Sequence, residues 1–278
     1  MSSPVCFYLP GTAGNLFTMY YPPKDSSSDA GNILYVHPFA GEMLASRNVI
    51  AAVSRQLVEL GFGVLVVDLY GCGDSGGDFE DARWELWRDD LQVASRWLQE
   101  RGGERVILWG LRLGALLAVD FAAYSQATYE RIVLWQPVLS GELMLNQFLH
   151  MNWSAEDGNA SMQGRIGTRE QRKHLADGES IEVAGYRLAA ELVWAIDRLN
   201  LAMPATPLPA PIHWTEFVSS KQSLDGASLS VIEGWKGRGV SVSADIVAGA
   251  PFWLFPHSMD FRHLTKQVRK AFAGDKNG

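Results

Sequence analysis

The chain has 278 residues and a formal net charge of -7 at pH 7, a length that fits one large domain or two small ones. A composition with 47% hydrophobic and 20% charged residues is typical of a globular protein that fills a sizeable core. The acidic balance disfavours a nucleic-acid partner, because there is no basic field to attract phosphate groups.

The cysteine content and the absence of long apolar runs further restrict the class of protein and the cellular compartment. Cys6 and Cys72 are the only cysteines, which is too few for a disulfide framework or a cysteine metal cluster. The N-terminal residues lack the basic stretch and apolar run of a secretory signal, and no apolar run is long enough to span a bilayer. We therefore expect a protein of the reducing cytoplasm, without metal or cofactor. The sequence gives no basis for predicting its oligomeric state.

Short apolar strands alternate with amphipathic helices along the first half of the chain. Strands are predicted at 33–38, 63–69, 105–110 and 131–138, and helices at 46–61, 81–102 and 113–125. Ser46 is expected to cap the first of these helices. Fully apolar strands separated by such helices indicate a parallel sheet that is covered on both faces. The predicted fold class is α/β.

This alternation stops between residues 140 and 210. The segment contains a polar, glycine-rich stretch, a strand-like "ESIEVAGYRL", a helical "LAAELVWAIDRLNL" and the proline-rich "MPATPLPAP". The remaining predicted elements are strands at 211–218 and 240–249 and a helix at 261–274. We interpret 1–139 and 211–278 as one core domain and 140–210 as a cap over the carboxyl edge of its sheet.

The stretch "VILWGLRLGALLAV", residues 106–119, has the strand, Gly-x-x-x-Gly and helix of a nucleophile elbow. Gly110 and Gly114 would let strand and helix approach closely, and Arg112 occupies the position of the nucleophile. Arginine cannot attack a carbonyl, because its guanidinium stays protonated and has no lone pair to offer. Ligands of open α/β sheets bind at the carboxyl ends of the strands, so this turn belongs to a predicted site.

The chain has the loop "VHPFAGEM", then the loop "VDLYGCGDSGGDF", and then the elbow. In this order and spacing, the three loops resemble those of the α/β-hydrolase superfamily. More narrowly, "HPFAGEM", "DLYGCGDSGGDF" followed by "ARWELWRDDL", "WGLRLGALLA" and "VAGYRL" resemble the exosortase A system-associated hydrolase 2 family. The resemblance covers roughly the whole chain. It implies a bacterial cytosolic protein with an α/β-hydrolase fold, an acyl or thioester ligand, and an acyl-carrier or pathway protein as partner.

Two further positions of a serine-hydrolase triad differ from the superfamily pattern or have no assignment. Superfamily members place a histidine just after the last strand, where "VAGAPFW" has Phe252, and His257 is the candidate for a displaced base. Glu216 and Asp225 both remain open as the acid. We therefore predict that standard Ser-His-Asp catalysis is absent and assign no catalytic residue.

A cation at a helix N-terminus needs a neighbouring anion, because the helix dipole is unfavourable to it there. Glu42 is the expected partner of Arg112, and a ligand carboxylate or phosphate is the alternative. The candidate pocket residues are His37, Phe39, Ala40, Glu42, Met43, Arg112, Leu113, Phe252 and Trp253. The sequence thus predicts a hydrolase-fold protein that binds an acyl or anionic ligand with little or no serine-hydrolase activity. The alternative is an active ester or thioester hydrolase with a non-standard site.

Overall fold

The computed structural model describes most of the chain. The described residues are 3–25, 30–102, 105–125, 127–154, 167–204, 208, 210–218, 223–255 and 264–273. Their strands form one eight-stranded sheet and a separate two-stranded hairpin. Helices cover both faces of the larger sheet, so the predicted α/β class is confirmed.

The elements follow one another along the chain in an alternating order. The strands are β1 Val5–Pro10, β2 Asn15–Tyr21, β3 Asn32–Val36, β4 Gly63–Val67, β5 Val106–Leu111, β6 Arg131–Trp135, β7 Ile181–Val183, β8 Tyr186–Leu188, β9 Ile212–Val218 and β10 Val242–Ala248. The helices are α1 Gly41–Glu59, α2 Trp84–Gly102, α3 Leu113–Ser125, α4 Gly141–Ser154, α5 Thr168–Ala176, α6 Ala190–Asp197, α7 Gly226–Gly237 and α8 Thr265–Ala273, with a short 3₁₀ helix at Phe79–Asp81.

The eight-stranded sheet has the order β1-β2-β4-β3-β5-β6-β9-β10. Its strands are parallel from β4 to β10, and only the N-terminal strands β1 and β2 pair antiparallel. The sequence prediction missed these two strands. Because β3 and β5 are adjacent and parallel, the loops that follow them meet at one edge of the sheet.

Side chains along each central strand alternate between two apolar clusters, one on each face of the sheet. In β3, Leu34 and Val36 belong to the cluster under α2 and α3, whereas Ile33 and Tyr35 belong to the cluster under α1 and α8. All five residues of β3 are buried. This pattern explains why the strand is apolar throughout rather than alternating with polar residues.

Helix α1 begins earlier than the sequence predicts. It begins at Gly41, directly after a sharp turn in which Ala40 has φ 50°. The predicted cap role of Ser46 is therefore wrong, since its hydroxyl lies inside the helix and donates to the Met43 carbonyl at 3.0 Å. Glu42 falls in the first helical turn, where the positive end of the helix dipole favours an acidic side chain.

The segment between β6 and β9 contains α4, α5, the β7–β8 hairpin and α6. Ion pairs connect it to the loop before α2, with Arg187 Nε 2.9 Å from Glu80 Oε2 and Arg83 Nη2 3.6 Å from Glu191 Oε2. Phe148 of α4 also packs edge-on against Phe39. These contacts place the segment beside the loop that follows β3. None of the described helices has the length and apolar content that a membrane crossing requires.

Candidate functional site

The turn between β5 and α3 has the backbone of an elbow. Arg112 is the single residue between the two elements and adopts a φ of 56°, a region that is strained for a residue with a side chain. Its N–H donates to the Trp135 carbonyl and its carbonyl accepts from the Ala115 N–H, both at 3.0 Å. These bonds hold the turn against β6 on one side and α3 on the other.

Both elbow glycines lie where any side chain would collide with backbone. A methyl group on Gly110 would lie 2.4 Å from the Ala115 Cα, and one on Gly114 would lie 2.3 Å from the Val36 carbonyl oxygen. The close approach predicted for these glycines is therefore present. It brings the start of α3, with Leu113, against the loop that follows β3.

Glu42 and Arg112 form the predicted ion pair. Arg112 Nε lies 3.2 Å from Glu42 Oε1, and the two side chains are 18% and 17% exposed. Burial raises the pKa of Glu42, while the Arg112 guanidinium lowers it. The second oxygen, Oε2, is buried without a hydrogen-bond partner in the described part of the chain. The pair thus places a half-buried cation and an incompletely satisfied carboxylate across the elbow.

Trp253 flanks the cation. The Arg112 Cζ lies 5.4 Å from the centroid of the Trp253 ring, within the range in which an aromatic face attracts a guanidinium. Its neighbour Phe252 is fully buried in the cluster under α1 and α8, and packs edge-on against Trp135 and Phe217. His257, the candidate displaced base, lies outside the described residues.

His37 is held by two backbone groups. The Leu69 N–H donates to Nε2 at 3.3 Å, so Nδ1 carries the proton and donates to the Pro38 carbonyl at 2.8 Å. Burial lowers the pKa of His37 and favours this neutral form. Both ring nitrogens are therefore hydrogen-bonded to backbone groups, one in the loop after β3 and one in the loop after β4.

The two candidate acids, Glu216 and Asp225, accept hydrogen bonds from backbone N–H groups, and Cys72 of the glycine-rich turn is buried. Glu216 Oε2 accepts from the Asp225 N–H at 3.0 Å, and the Asp225 side chain accepts from the Ala227 N–H at the start of α7. Burial raises the pKa of the Cys72 thiol and disfavours the nucleophilic thiolate. Within the described ranges, no three His, Cys, Asp or Glu side chains are grouped closely enough to hold a metal ion.

A histidine bonded to a serine occurs at a different place, which the sequence prediction missed. The Ser243 hydroxyl lies 2.9 Å from His213 Nδ1, and Asp245 Oδ2 lies 3.3 Å from His213 Nε2. Lys270 Nζ in turn lies 2.6 Å from Asp245 Oδ1. Ser243 and His213 belong to the amino-terminal ends of β10 and β9, opposite the edge that carries the elbow. The only available sequence signal is the spacing of Ser243 and Asp245, which puts both on one face of a strand.

The sequence model of the family described as serine aminopeptidase, S33, matches residues 32–182, just over half of the chain. This chain belongs to that family. The matched segment of the S33-family chain includes the loop after β3 and the elbow, and it ends within β7. No curated protein sequence matches the chain.

Solved structures show the same fold. Est1E from Butyrivibrio proteoclasticus, with ferulic acid bound, matches with a TM-score of 0.69 and 16% identity over 95% of this chain and 96% of that chain. XC6422 from Xanthomonas campestris, an α/β serine hydrolase without lid, has a TM-score of 0.57 and 14% identity over 98% and 94%. Proline iminopeptidase from Mycobacterium smegmatis has a TM-score of 0.59 and 13% identity over 97% and 99%. The predicted α/β-hydrolase fold is confirmed.

Proposed function

We propose that this S33-family chain is a member of the exosortase A system-associated hydrolase 2 type that binds an acyl or anionic ligand and has little or no serine-hydrolase activity. The observation that carries the proposal is the guanidinium of Arg112 at the elbow, paired with Glu42 at 3.2 Å. The family resemblance supports a location in the bacterial cytoplasm and an acyl-carrier or pathway protein as partner. The long insertion at 140–210 between two strands of the sheet supports a cap over the site.

The elbow retains its backbone but lacks a nucleophile. Acyl transfer needs a hydroxyl or thiol activated by a base, and Arg112 supplies neither a lone pair nor a removable proton. His37 has both ring nitrogens bonded to backbone groups. Oxyanion-hole and binding effects alone leave a rate of about 10³–10⁴ over water, well below that of a working esterase.

The same guanidinium is suited to hold an anion or a carbonyl oxygen. Glu42 takes the hydrogen bond from Nε, and within the described chain the terminal nitrogens Nη1 and Nη2 of Arg112 donate no hydrogen bond. A planar guanidinium edge matches a carboxylate or phosphate in a bidentate geometry. The Trp253 ring lies beside it, with its centroid 5.4 Å from Arg112 Cζ. The site therefore favours a ligand with an oxygen-rich head group.

A binding experiment tests this proposal with octanoate as the probe. We expect Arg112→Met to weaken octanoate binding about tenfold or more in isothermal titration calorimetry, because it removes the charged donor and retains the side-chain length. Arg105→Met is the matched control, since Arg105 forms an exposed ion pair with Glu130. Equal octanoate affinity in the two variants would contradict the proposal.

Activity measurements test the absence of serine chemistry. We expect no fluorophosphonate labelling and no turnover of short aryl esters or acyl-CoA thioesters above the residual rate. Arg112→Ser should increase the ester hydrolysis rate by less than about tenfold, because Phe252 supplies no base to activate the new hydroxyl. Robust wild-type turnover that a single serine substitution abolishes would refute the proposal.

The second candidate function is an active ester or thioester hydrolase with a non-standard site. The contacts of His213 with Ser243 and Asp245 favour it, because they join a hydroxyl, an imidazole and a carboxylate. Lys270 opposes it, since its ion pair with Asp245 weakens the support that the carboxylate gives to an imidazolium. Ser243→Ala distinguishes the two functions: loss of aryl-ester turnover in this variant would establish the second.

A further inference from the structure

The β7–β8 hairpin holds Tyr186 in a fixed orientation. Ala184 and Gly185 both have positive φ values, 49° and 81°, which is the backbone of a two-residue type I′ turn. Tyr186 follows this turn directly and pairs across the hairpin with Val183, which is fully buried. Cross-strand partners lie on the same face of a hairpin. The Tyr186 ring therefore turns inward with Val183, and it packs against the apolar cluster under α2 and α3.

The contacts of Tyr186 place its hydroxyl beside the start of α1. Its ring packs edge-on against Phe79, with 5.0 Å between the ring centroids. A methyl group on Gly41, the first residue of α1, would lie 4.0 Å from the Tyr186 hydroxyl oxygen. Glu42 is the next residue, and consecutive Cα atoms are about 3.8 Å apart, so the hydroxyl lies within about 10 Å of the Glu42 backbone. Glu42 is the residue that pairs with Arg112.

The Tyr186 hydroxyl is available to a ligand. It makes no hydrogen bond within the described part of the chain, and it is not one of the polar atoms that the fold encloses. Burial of the ring and the neighbouring Cys72 raise the pKa of Tyr186, so the hydroxyl stays protonated near neutral pH and can donate. Tyr186 thus presents a donor that the described chain does not use.

Arg112 and Tyr186 offer two donors of different kinds near the first turn of α1. The terminal nitrogens of a guanidinium match both oxygens of a carboxylate in a bidentate geometry. A carboxylate held in this way leaves the Tyr186 hydroxyl to a further oxygen elsewhere on the ligand. The rings of Phe79 and Trp253, one beside each donor, supply apolar surface for a carbon chain.

We propose that Tyr186 is a specificity-determining residue, and that the ligand held at Arg112 is an oxygenated acyl chain whose hydroxyl or keto oxygen accepts a hydrogen bond from Tyr186. This inference rests on the function proposed above, because it takes the carboxylate of the ligand to be held by Arg112. It adds the chemical class of the ligand, which is a hydroxy or keto acid rather than an unsubstituted fatty acid.

Octanoate and a series of monohydroxyoctanoates, with the hydroxyl on each of carbons 3 to 8, are the probes. Isothermal titration calorimetry on the full chain would measure their affinities. We expect at least one hydroxyl position to bind about fivefold more tightly than octanoate, because that compound gains a hydrogen bond to a neutral donor. The position that binds most tightly would report the spacing between the two donors.

Tyr186→Phe tests the assignment of the donor. The ratio of the affinity of the preferred hydroxyoctanoate to that of octanoate should fall about fivefold in this variant, because only the hydroxyoctanoate loses a partner. Tyr124→Phe is the matched control and should keep the wild-type ratio. Tyr124 is 48% exposed and belongs to α3, about 16 Å along that helix from the elbow. Thermal melts establish that both variants are folded, and the wild-type series alone decides the ligand class if Tyr186→Phe does not fold.

Two results would overturn the inference. The first is a wild-type series in which no hydroxyl position binds more tightly than octanoate, and the second is an unchanged affinity ratio in Tyr186→Phe. Arg112→Met separates either failure from a failure of the proposed function. Octanoate binding that Arg112→Met weakens, together with an unchanged ratio in Tyr186→Phe, would reject only the role of Tyr186. Octanoate binding that Arg112→Met leaves unchanged would reject the proposed function itself.

Discussion

Two turns at the carboxyl edge of the sheet differ in what their side chains do. The elbow after β5 places Arg112 at a positive φ, and its side chain is 18% exposed and paired with Glu42. The turn after β10 places Phe252 in the apolar core with no exposed surface. One turn keeps a polar group within reach of a ligand, and the other contributes its side chain to packing.

This difference separates the requirements of binding from those of catalysis. Binding an oxygen-rich group needs only the elbow and its cation, whereas acyl transfer needs a nucleophile at one turn and a base at the other. A phenylalanine that packs against Trp135 and Phe217 cannot be replaced by a histidine without burying a polar ring. The turn after β10 therefore contributes to the stability of the fold and supplies no catalytic base.

The largest expected effect concerns Phe252. We expect Phe252→Ala to lower the free energy of unfolding by about 3–5 kcal/mol, because it leaves a cavity in a close-packed aromatic cluster. Phe255→Ala is the control, since Phe255 is 60% exposed, and should change it by less than about 0.5 kcal/mol. Urea denaturation would measure both, and similar values would mean that Phe252 is not a core residue.

The next effect concerns the close approach at the elbow. We expect Gly114→Ala to lower the free energy of unfolding by about 1–3 kcal/mol, because its methyl group would meet the Val36 and His37 carbonyl oxygens. The control is Gly234→Ala in α7, where an added methyl group meets nothing within 4 Å. There alanine should stabilise the helix by up to about 1 kcal/mol. A stabilising Gly114→Ala would be incompatible with the elbow described above.

The smallest effect concerns the ion pair and depends on pH. Burial raises the folded-state pKa of Glu42 and Arg112 limits the rise, so the cost of ionising Glu42 appears as pH rises through that pKa. Arg112→Met removes the limit and should destabilise the chain by about 1–2 kcal/mol at pH 8 and by less at pH 5. Thermal melts at both pH values would measure the difference. Adding Glu42→Gln to Arg112→Met should abolish the pH dependence of the stability loss. If Arg112→Met alone lost the same stability at both pH values, the ionisation of Glu42 would be excluded as the cause.

Much of the candidate site could be predicted from the sequence, because the residues that indicate it are close together in the chain. Strand, glycines and helix are contiguous at the elbow, and α3 begins and ends at the predicted residues 113 and 125. The pairing of Glu42 with Arg112 followed from one topological rule, that loops after adjacent parallel strands share an edge. The start of α1 could not be placed, because the turn at Ala40 has no glycine to signal its positive φ.

By itself, the sequence determined the α/β class, the elbow and the identity of the residue at its centre, because these depend on hydrophobic period and on residues close together in the chain. Only the tertiary structure decided that Phe252 belongs to the apolar core. The same holds for the contact of Ser243 with His213. These features depend on how separate elements pack, and side-chain packing across the sheet leaves no periodic trace in the sequence.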